Sequence, residues 1–214
     1  MTHLSLEQKI GQLFILGFTG DMLTPDHPIV QDIKFRNLGG VILFDRFLAA
    51  AQDSNNIVNA EQLNQLITSL QQLSEQPLLI AVDQEGGQVN RFRKERGFPV
   101  TPTAFELGKT ADLHSTVKSA QQTARMLRNV GVNLNLAPVV DLNVYAENPI
   151  IGKYGRSFSV DGDTVTSHAE AWIREHRDQG ILSCLKHFPG HGSSRTDSHL
   201  GFVDITESWQ DIEL

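Results

Sequence analysis

One cysteine, Cys184, is all that this chain of 214 residues carries, so no disulfide can close within it. It lies in the apolar run Ile181-Leu182-Ser183-Cys184-Leu185, where a small buried hydrophobe is expected rather than a reactive thiol. Clustered positive charge is missing as well. The 18 Lys and Arg are scattered among 25 Asp and Glu, for a net charge of -7, which leaves no footprint for a phosphate backbone and excludes nucleic acid as an expected partner. No apolar run is long enough to span a bilayer, and Met1 to Lys9 shows no basic stretch followed by an apolar one. A soluble cytoplasmic protein without membrane contact is expected, export through a signal removed ahead of Met1 being the alternative. Nor does a GxGxxG or GxxxxGK[ST] stand at a strand-to-helix junction, and Gly39-Gly40 precedes a strand instead of following one, so nucleotide binding loses support. With neither a low-complexity linker nor a short repeat, one domain over residues 1–214 is expected.

What is present is ordinary globular material, 40% hydrophobic and 20% charged, arranged as short apolar runs alternating with amphipathic stretches. Gly40 to Phe44, Leu78 to Val82, Val132 to Leu136 and Leu182 to Leu185 read as buried strands, with Leu13 to Leu16 an earlier one. Ala60 to Leu73, His114 to Val130 and Asp163 to Gln179 read as helices, two of them leaving through Gly131 and Gly180. Strand, helix, strand in this rhythm predicts an α/β fold with a parallel sheet covered by helices.

Polar residues crowd the carboxyl ends of the strands, the side on which parallel α/β folds bind ligands. Leu78 to Val82 runs into Asp83-Gln84-Glu85-Gly86-Gly87, with Arg91 and Arg93 beyond; the strand through Pro138 reaches Asp141; and Leu182 to Leu185 empties into Lys186-His187. An acid at a strand end followed by arginines suits a polar-ligand grip better than a solvated turn, because carboxylates accept and guanidinium donates several hydrogen bonds. Asp141 reads equally as a loop cap and is left outside the first set of candidates. Arg156 stands out only through its glycine-bounded loop, Gly155-Arg156-Ser157-Phe158.

Lys186-His187-Phe188-Pro189-Gly190-His191-Gly192, followed by Asp197-Ser198-His199, is the densest group of titratable side chains. His187, His191, Asp197 and His199 could ligate a metal, yet Pro189, Gly190 and Gly192 disfavour the helix that would align two imidazoles. Asp197 and His199 suit a proton-transfer dyad, in which the carboxylate fixes the imidazole tautomer. For His191 a backbone hydrogen bond within the loop is the expected role. Near the C-terminus, Thr206 reads as the N-cap of a helix beginning near Ser208.

Asp83-Gln84-Glu85-Gly86-Gly87 through Arg91, then Gly155-Arg156-Ser157-Phe158, then the histidine loop with Asp197-Ser198-His199, in this order and spacing, resemble family 3 glycoside hydrolases, and within them the β-N-acetylhexosaminidase branch. The resemblance covers essentially the whole chain. It implies a (β/α)8 TIM-type barrel that releases terminal β-linked N-acetylglucosamine from glycosides such as cell-wall fragments, with retention of configuration and with neither metal nor cofactor. It assigns sugar binding to Asp83, Arg91, Arg156, Lys186 and His187, and acid/base chemistry to His199 with Asp197. Such a barrel takes about 250 residues, so about five of its eight units are expected here, with an open edge through which the chain would self-associate. The nucleophilic aspartate of the family is expected beyond residue 214, since Asp204 and Asp211 come too soon, and the chain alone is expected to be inactive. The alternatives are a non-catalytic amino-sugar-binding protein and a metal-dependent hydrolase.

Overall fold

The computed structural model describes residues 4–47 and 54–214, which fall into two compact units. The first takes the described residues of Met1–Val82 together with Arg91–Pro99 and Met126–Leu134. Helix α1 (Leu6–Gly11) opens on a capping box: the Ser5 hydroxyl accepts the Gln8 N–H and the Gln8 side chain accepts that of Ser5. Strands β1 (Ile15–Gly17), β2 (Gly40–Leu43) and β3 (Leu79–Val82) pair in parallel, Ile15 facing Gly40 and Gly40 facing Leu79. Parallel neighbours need crossovers, which α2 (Pro28–Arg36) and α3 (Ala60–Gln72) supply. Helix α3 buries Leu63, Leu66, Ile67 and Leu70, one stripe at three and four spacing. Gly40 has to be glycine, because a Cβ there would sit 2.5 Å from the Leu79 carbonyl oxygen. The side chain of Asn133 serves as a strand partner: its Oδ1 accepts the Ile80 N–H at 2.7 Å and its Nδ2 donates to the Leu78 carbonyl at 2.8 Å.

The second unit comprises Asp83–Asn90, Val100–Arg125 and Asn135–Leu214. It begins with a short antiparallel hairpin, β4 (Gln84–Gly86) and β5 (Val89–Asn90). Helix α4 (Ala104–Gly108) follows, then α5 (His114–Val130), whose residues to Arg125 belong here. Strand β6 (Leu134–Asn135) contributes Asn135; α6 (Gly162–Asp178) and β7 (Leu182–Ser183) complete the regular elements. Cys184 donates its N–H to the Asn135 carbonyl at 3.1 Å, and Val139 bridges Lys186 in parallel. Leu107, Ala120, Leu142, Phe158, Val165 and Trp172 form a core beneath.

The parallel α/β class expected from the sequence is what is observed. Three local expectations are overturned. The run Leu13 to Leu16 is exposed throughout, and so is the whole of β1, which starts only at Ile15. Cys184 is exposed, and so are Leu182 and Leu185, because β7 is a two-residue strand at a sheet edge, with one neighbour among the described residues. Thr206 caps no helix: Asp204 Oδ1 accepts both the N–H and the hydroxyl of Thr206, which makes a local turn instead, and the only helical residues that follow form a 3-10 turn over Asp211–Glu213. No helix among the described residues is long and apolar enough to cross a membrane.

Candidate active site

The second unit draws together side chains that are up to 103 residues apart in sequence. Asp83 directly follows β3, Glu85 lies in β4, and Lys186 follows the short run after β7. The Lys186 ammonium reaches Asp83 Oδ1 at 2.7 Å and Glu85 Oε1 at 2.7 Å. Arg156 grips the same Glu85 with both arms of its fork, Nε to Oε2 at 2.7 Å and Nη2 to Oε1 at 2.8 Å. Both members of that pair are nearly buried, with side chains 9% and 6% exposed. Burial alone would lower the Arg156 pKa, but the hydrogen bonds and charge of Glu85, with Asp141 and Asp83 behind it, raise it instead, so the guanidinium stays charged.

His187 carries the network onward. Its Nδ1 lies 2.6 Å from Asp141 Oδ2, and its Nε2 lies 3.3 Å from Arg156 Nη2. A guanidinium only donates, so the neutral ring has its proton on Nδ1, facing the carboxylate, and accepts at Nε2. Asp141 also receives the backbone N–H of His187 at 3.2 Å and of His191 at 2.7 Å, both at Oδ1. Burial would raise the Asp141 pKa; the hydrogen bond from the His187 ring, the charge of that ring when protonated and these two backbone donors outweigh it and hold the carboxyl below its usual value. A second buried residue, Asn148, staples the loop: its Nδ2 donates to the carbonyls of His191, Gly192 and Ser194, while its Oδ1 accepts the N–H groups of Ile150 and Ile151.

Asp197 and His199 form the expected pair at the surface. Asp197 Oδ1 accepts the backbone N–H of His199 and its ring Nδ1, each at 2.8 Å, and these bonds lower the Asp197 pKa, the backbone contribution being the larger. With Nδ1 bonded to the carboxylate, Nε2 is the nitrogen left to take a proton when the ring is neutral and to give one when it is the imidazolium, and the side chain is 75% exposed. His191 joins the two groups, its N–H on Asp141 and its Nε2 at 3.3 Å from the Ser198 hydroxyl. Its ring thus faces a side-chain hydroxyl in place of the backbone carbonyl expected from the sequence.

Of the sequence candidates, Asp83, Arg156, Lys186 and His187 meet in one network, and Asp197 and His199 meet in another. Arg91 is found in the first unit, where its Nη1 lies 3.8 Å from Asp45 and its guanidinium stands 5.7 Å over the Phe44 ring. Arg93 pairs with the same buried Asp45. Sequence reading passed over Glu85 as a site residue and set Asp141 aside. Glu85 had a signal, its place between Asp83 and the glycines; the bond from Asp141 to a histidine 46 residues later had none. The four groups of the metal alternative are paired within the protein, His187 with Asp141, His191 with Ser198 and His199 with Asp197. Among the described residues no three His, Cys, Asp or Glu are grouped to hold a metal ion.

Comparison with known proteins gives one answer. The model of the Glycosyl hydrolase family 3 N terminal domain matches residues 5–213. A β-hexosaminidase of Hydrogenovibrio crunogenus is 39% identical over 97% of this chain and 57% of its own. Among solved structures, a family 3 β-N-acetylglucosaminidase from Paenibacillus superposes with a TM-score of 0.82 at 34% identity, over 92% of this chain and 35% of that one. The NagZ of Neisseria gonorrhoeae, solved in complex with N-trifluoroacetyl-D-glucosamine, gives 0.75 at 32% identity, over 88% of this chain and 53% of that one. The chain thus spans between about a third and three fifths of the length of the curated relatives it matches first.

Proposed function

The chain belongs to glycoside hydrolase family 3, and from that premise we propose that its second unit provides the sugar grip and the proton-transfer group of a retaining β-N-acetylhexosaminidase. The observation that carries this reading is the joined network of Asp83, Glu85, Lys186, Arg156, His187 and Asp141 at the strand ends, with the Asp197–His199 pair on the same loop system. Acceptors from carboxylates and donors from ammonium and guanidinium, held by one another, are pre-organised for the hydroxyl and amide groups of an amino sugar. The amino-sugar derivative bound to the Neisseria relative supports the same substrate class.

In the proposed reaction His199 protonates the departing glycosidic oxygen as the bond from that oxygen to C1 breaks, and a carboxylate takes C1. In the second half a water attacks C1, gives its proton to the same imidazole, and releases the carboxylate. The nucleophile that the family resemblance implies has no match among residues 1–214, so the attacking carboxylate is assigned to no residue of this chain. Residues 1–214 form one part of the glycosidase barrel in this reading, and its substrates are amino-sugar glycosides such as cell-wall fragments.

Two measurements test it. The chain should release no appreciable aryl product from an aryl N-acetyl-β-glucosaminide, whereas turnover at the rate of a full-length family member would overturn the assignment of the nucleophile. Calorimetry should show N-acetylglucosamine binding to the wild type, and binding weaker by roughly tenfold or more in Asp83→Ala, the cost of losing charged hydrogen bonds. Heat from neither protein would remove the grip.

A further inference from the structure

Asn135 is wholly buried and 51 residues from Gln84 in sequence, yet its side chain pins the peptide on which two grip residues ride. Its Oδ1 accepts the N–H of Gln84 at 3.1 Å and its Nδ2 donates to the carbonyl of the same Gln84 at 3.1 Å. A primary amide thereby bonds both polar groups of one residue, as an extra strand would, and Gln84 is the residue between Asp83 and Glu85. Gln84 is itself fully buried, so neither of its backbone groups has water to fall back on.

The direction of that amide is set a second time from behind. Nδ2 also lies 3.1 Å from His176 Nε2, and His176 Nδ1 lies 2.9 Å from the Trp172 carbonyl oxygen. A carbonyl can only accept, so Nδ1 carries the proton and Nε2 is an acceptor that asks for the NH2 of Asn135. The Trp172 ring stacks on His176 with centroids 5.0 Å apart, which fixes the imidazole plane. Turning the amide over would place N–H against N–H and oxygen against oxygen at Gln84 and leave the imidazole nitrogen facing an oxygen. One orientation satisfies all three partners.

We propose that Asn135, oriented by His176, is a positioning residue of the sugar site, holding the Gln84 peptide so that Asp83 and Glu85 stand at hydrogen-bond distance on either side of Lys186. It touches no ligand and acts only through Gln84. Lys186 bridges the two carboxylates at 2.7 Å each, a geometry that tolerates little movement of the backbone between them.

The test has two arms, and only the second rests on the reading of Asp83 as a sugar ligand. In the first, crystal structures of Asn135→Leu and Asn135→Asp are solved. The leucine removes every bond at similar volume; the aspartate keeps the acceptor for the Gln84 N–H, loses both donors, and serves if the leucine variant does not fold. Lys186 should lose contact with Asp83 or Glu85, and persistence of both contacts at their wild-type distances in either variant would overturn the proposal. In the second arm, affinity for N-acetylglucosamine is measured by calorimetry alongside Val165→Ala, a core truncation in the same unit that leaves Gln84 untouched. Both Asn135 variants should bind roughly tenfold or more weakly while Val165→Ala binds as the wild type does. Wild-type affinity in an Asn135 variant, or an equal loss in Val165→Ala, would reduce Asn135 to general packing. If the wild type itself gives no heat, the functional reading fails and the crystal structures alone decide the role of Asn135.

Discussion

Asp141 shows what one carboxylate does when three donors converge on it. In Asp141→Asn the amide retains one acceptor, but an NH2 replaces the oxygen that faces His187 Nδ1, so donor meets donor. A charge-assisted bond of this kind contributes about 1.5–3 kcal/mol, and the variant is expected to lose that much stability at neutral pH. The pH dependence has a definite sign. The carboxyl is held below its usual value in the fold, so its contribution is complete above the unfolded value and disappears as the pH falls through the folded one. Denaturant titrations at pH 7 and at pH 3 should therefore show the gap between wild type and variant closing in acid. A gap that widened would mean that Asp141 is not the partner of His187. At this scale Asp83, Arg156, Lys186 and His187 were legible because each sits in a short motif beside a strand end or a glycine turn. Asp141 was not, since a single aspartate after Val140 carries no mark of the histidine it will meet. Asn135 and His176 were hidden altogether: an asparagine inside an apolar run and a histidine on a helix face look like tolerated polar residues until their partners are seen.

Among the elements, the long helices and the central strands were readable from periodicity, while the shortest pieces escaped. Helix α3 ends one residue earlier than its apolar stripe suggests, and α5 has the expected bounds. Helices α1, α2 and α4 and the β4–β5 hairpin gave too few periods to register, and Thr206 was misread because an aspartate two residues earlier outcompeted it. The histidine loop is the element on which the site depends most, and its fit is tightest at Gly192, where a Cβ would lie 1.8 Å from the Leu142 carbonyl oxygen. That atom is backbone and cannot swing aside, so Gly192→Ala should destabilise by about 1–3 kcal/mol and push the loop away from Leu142. Gly201 is the control: nothing lies within 4 Å of a Cβ built there. Gly201→Ala should stay within about 0.5 kcal/mol of the wild type in the same denaturant titration. Equal midpoints for the two variants would show that the loop is not packed as described.

For the whole molecule, acid sensitivity should be governed by buried imidazoles as well as by carboxylates. Burial lowers the pKa of His176 from 6.5 to about 4, against the weaker opposing effect of its bond to Trp172, and burial lowers that of His168 in the same direction. An imidazole that stays neutral in the fold but charges in the unfolded chain favours unfolding as the pH drops. The stability contributed by His176 is complete above about pH 6.5, declines towards pH 4, and amounts to about 3 kcal/mol over that window. His176→Gln, which cannot titrate, should flatten this limb of the stability profile; an unchanged slope between pH 6.5 and pH 4 would assign the acid sensitivity elsewhere. The α/β class and the family were legible at this scale, because alternating apolar runs and long motifs survive without any knowledge of contacts. The exposure of the edge strand was not, since an apolar run reads as buried whether or not anything lies over it. Cys184, on that edge, turns this into an experimental asset. A lone thiol open to solvent accepts one maleimide fluorophore per molecule, two residues ahead of Lys186, so occupancy of the site could be followed optically in a chain that needs no engineered attachment point.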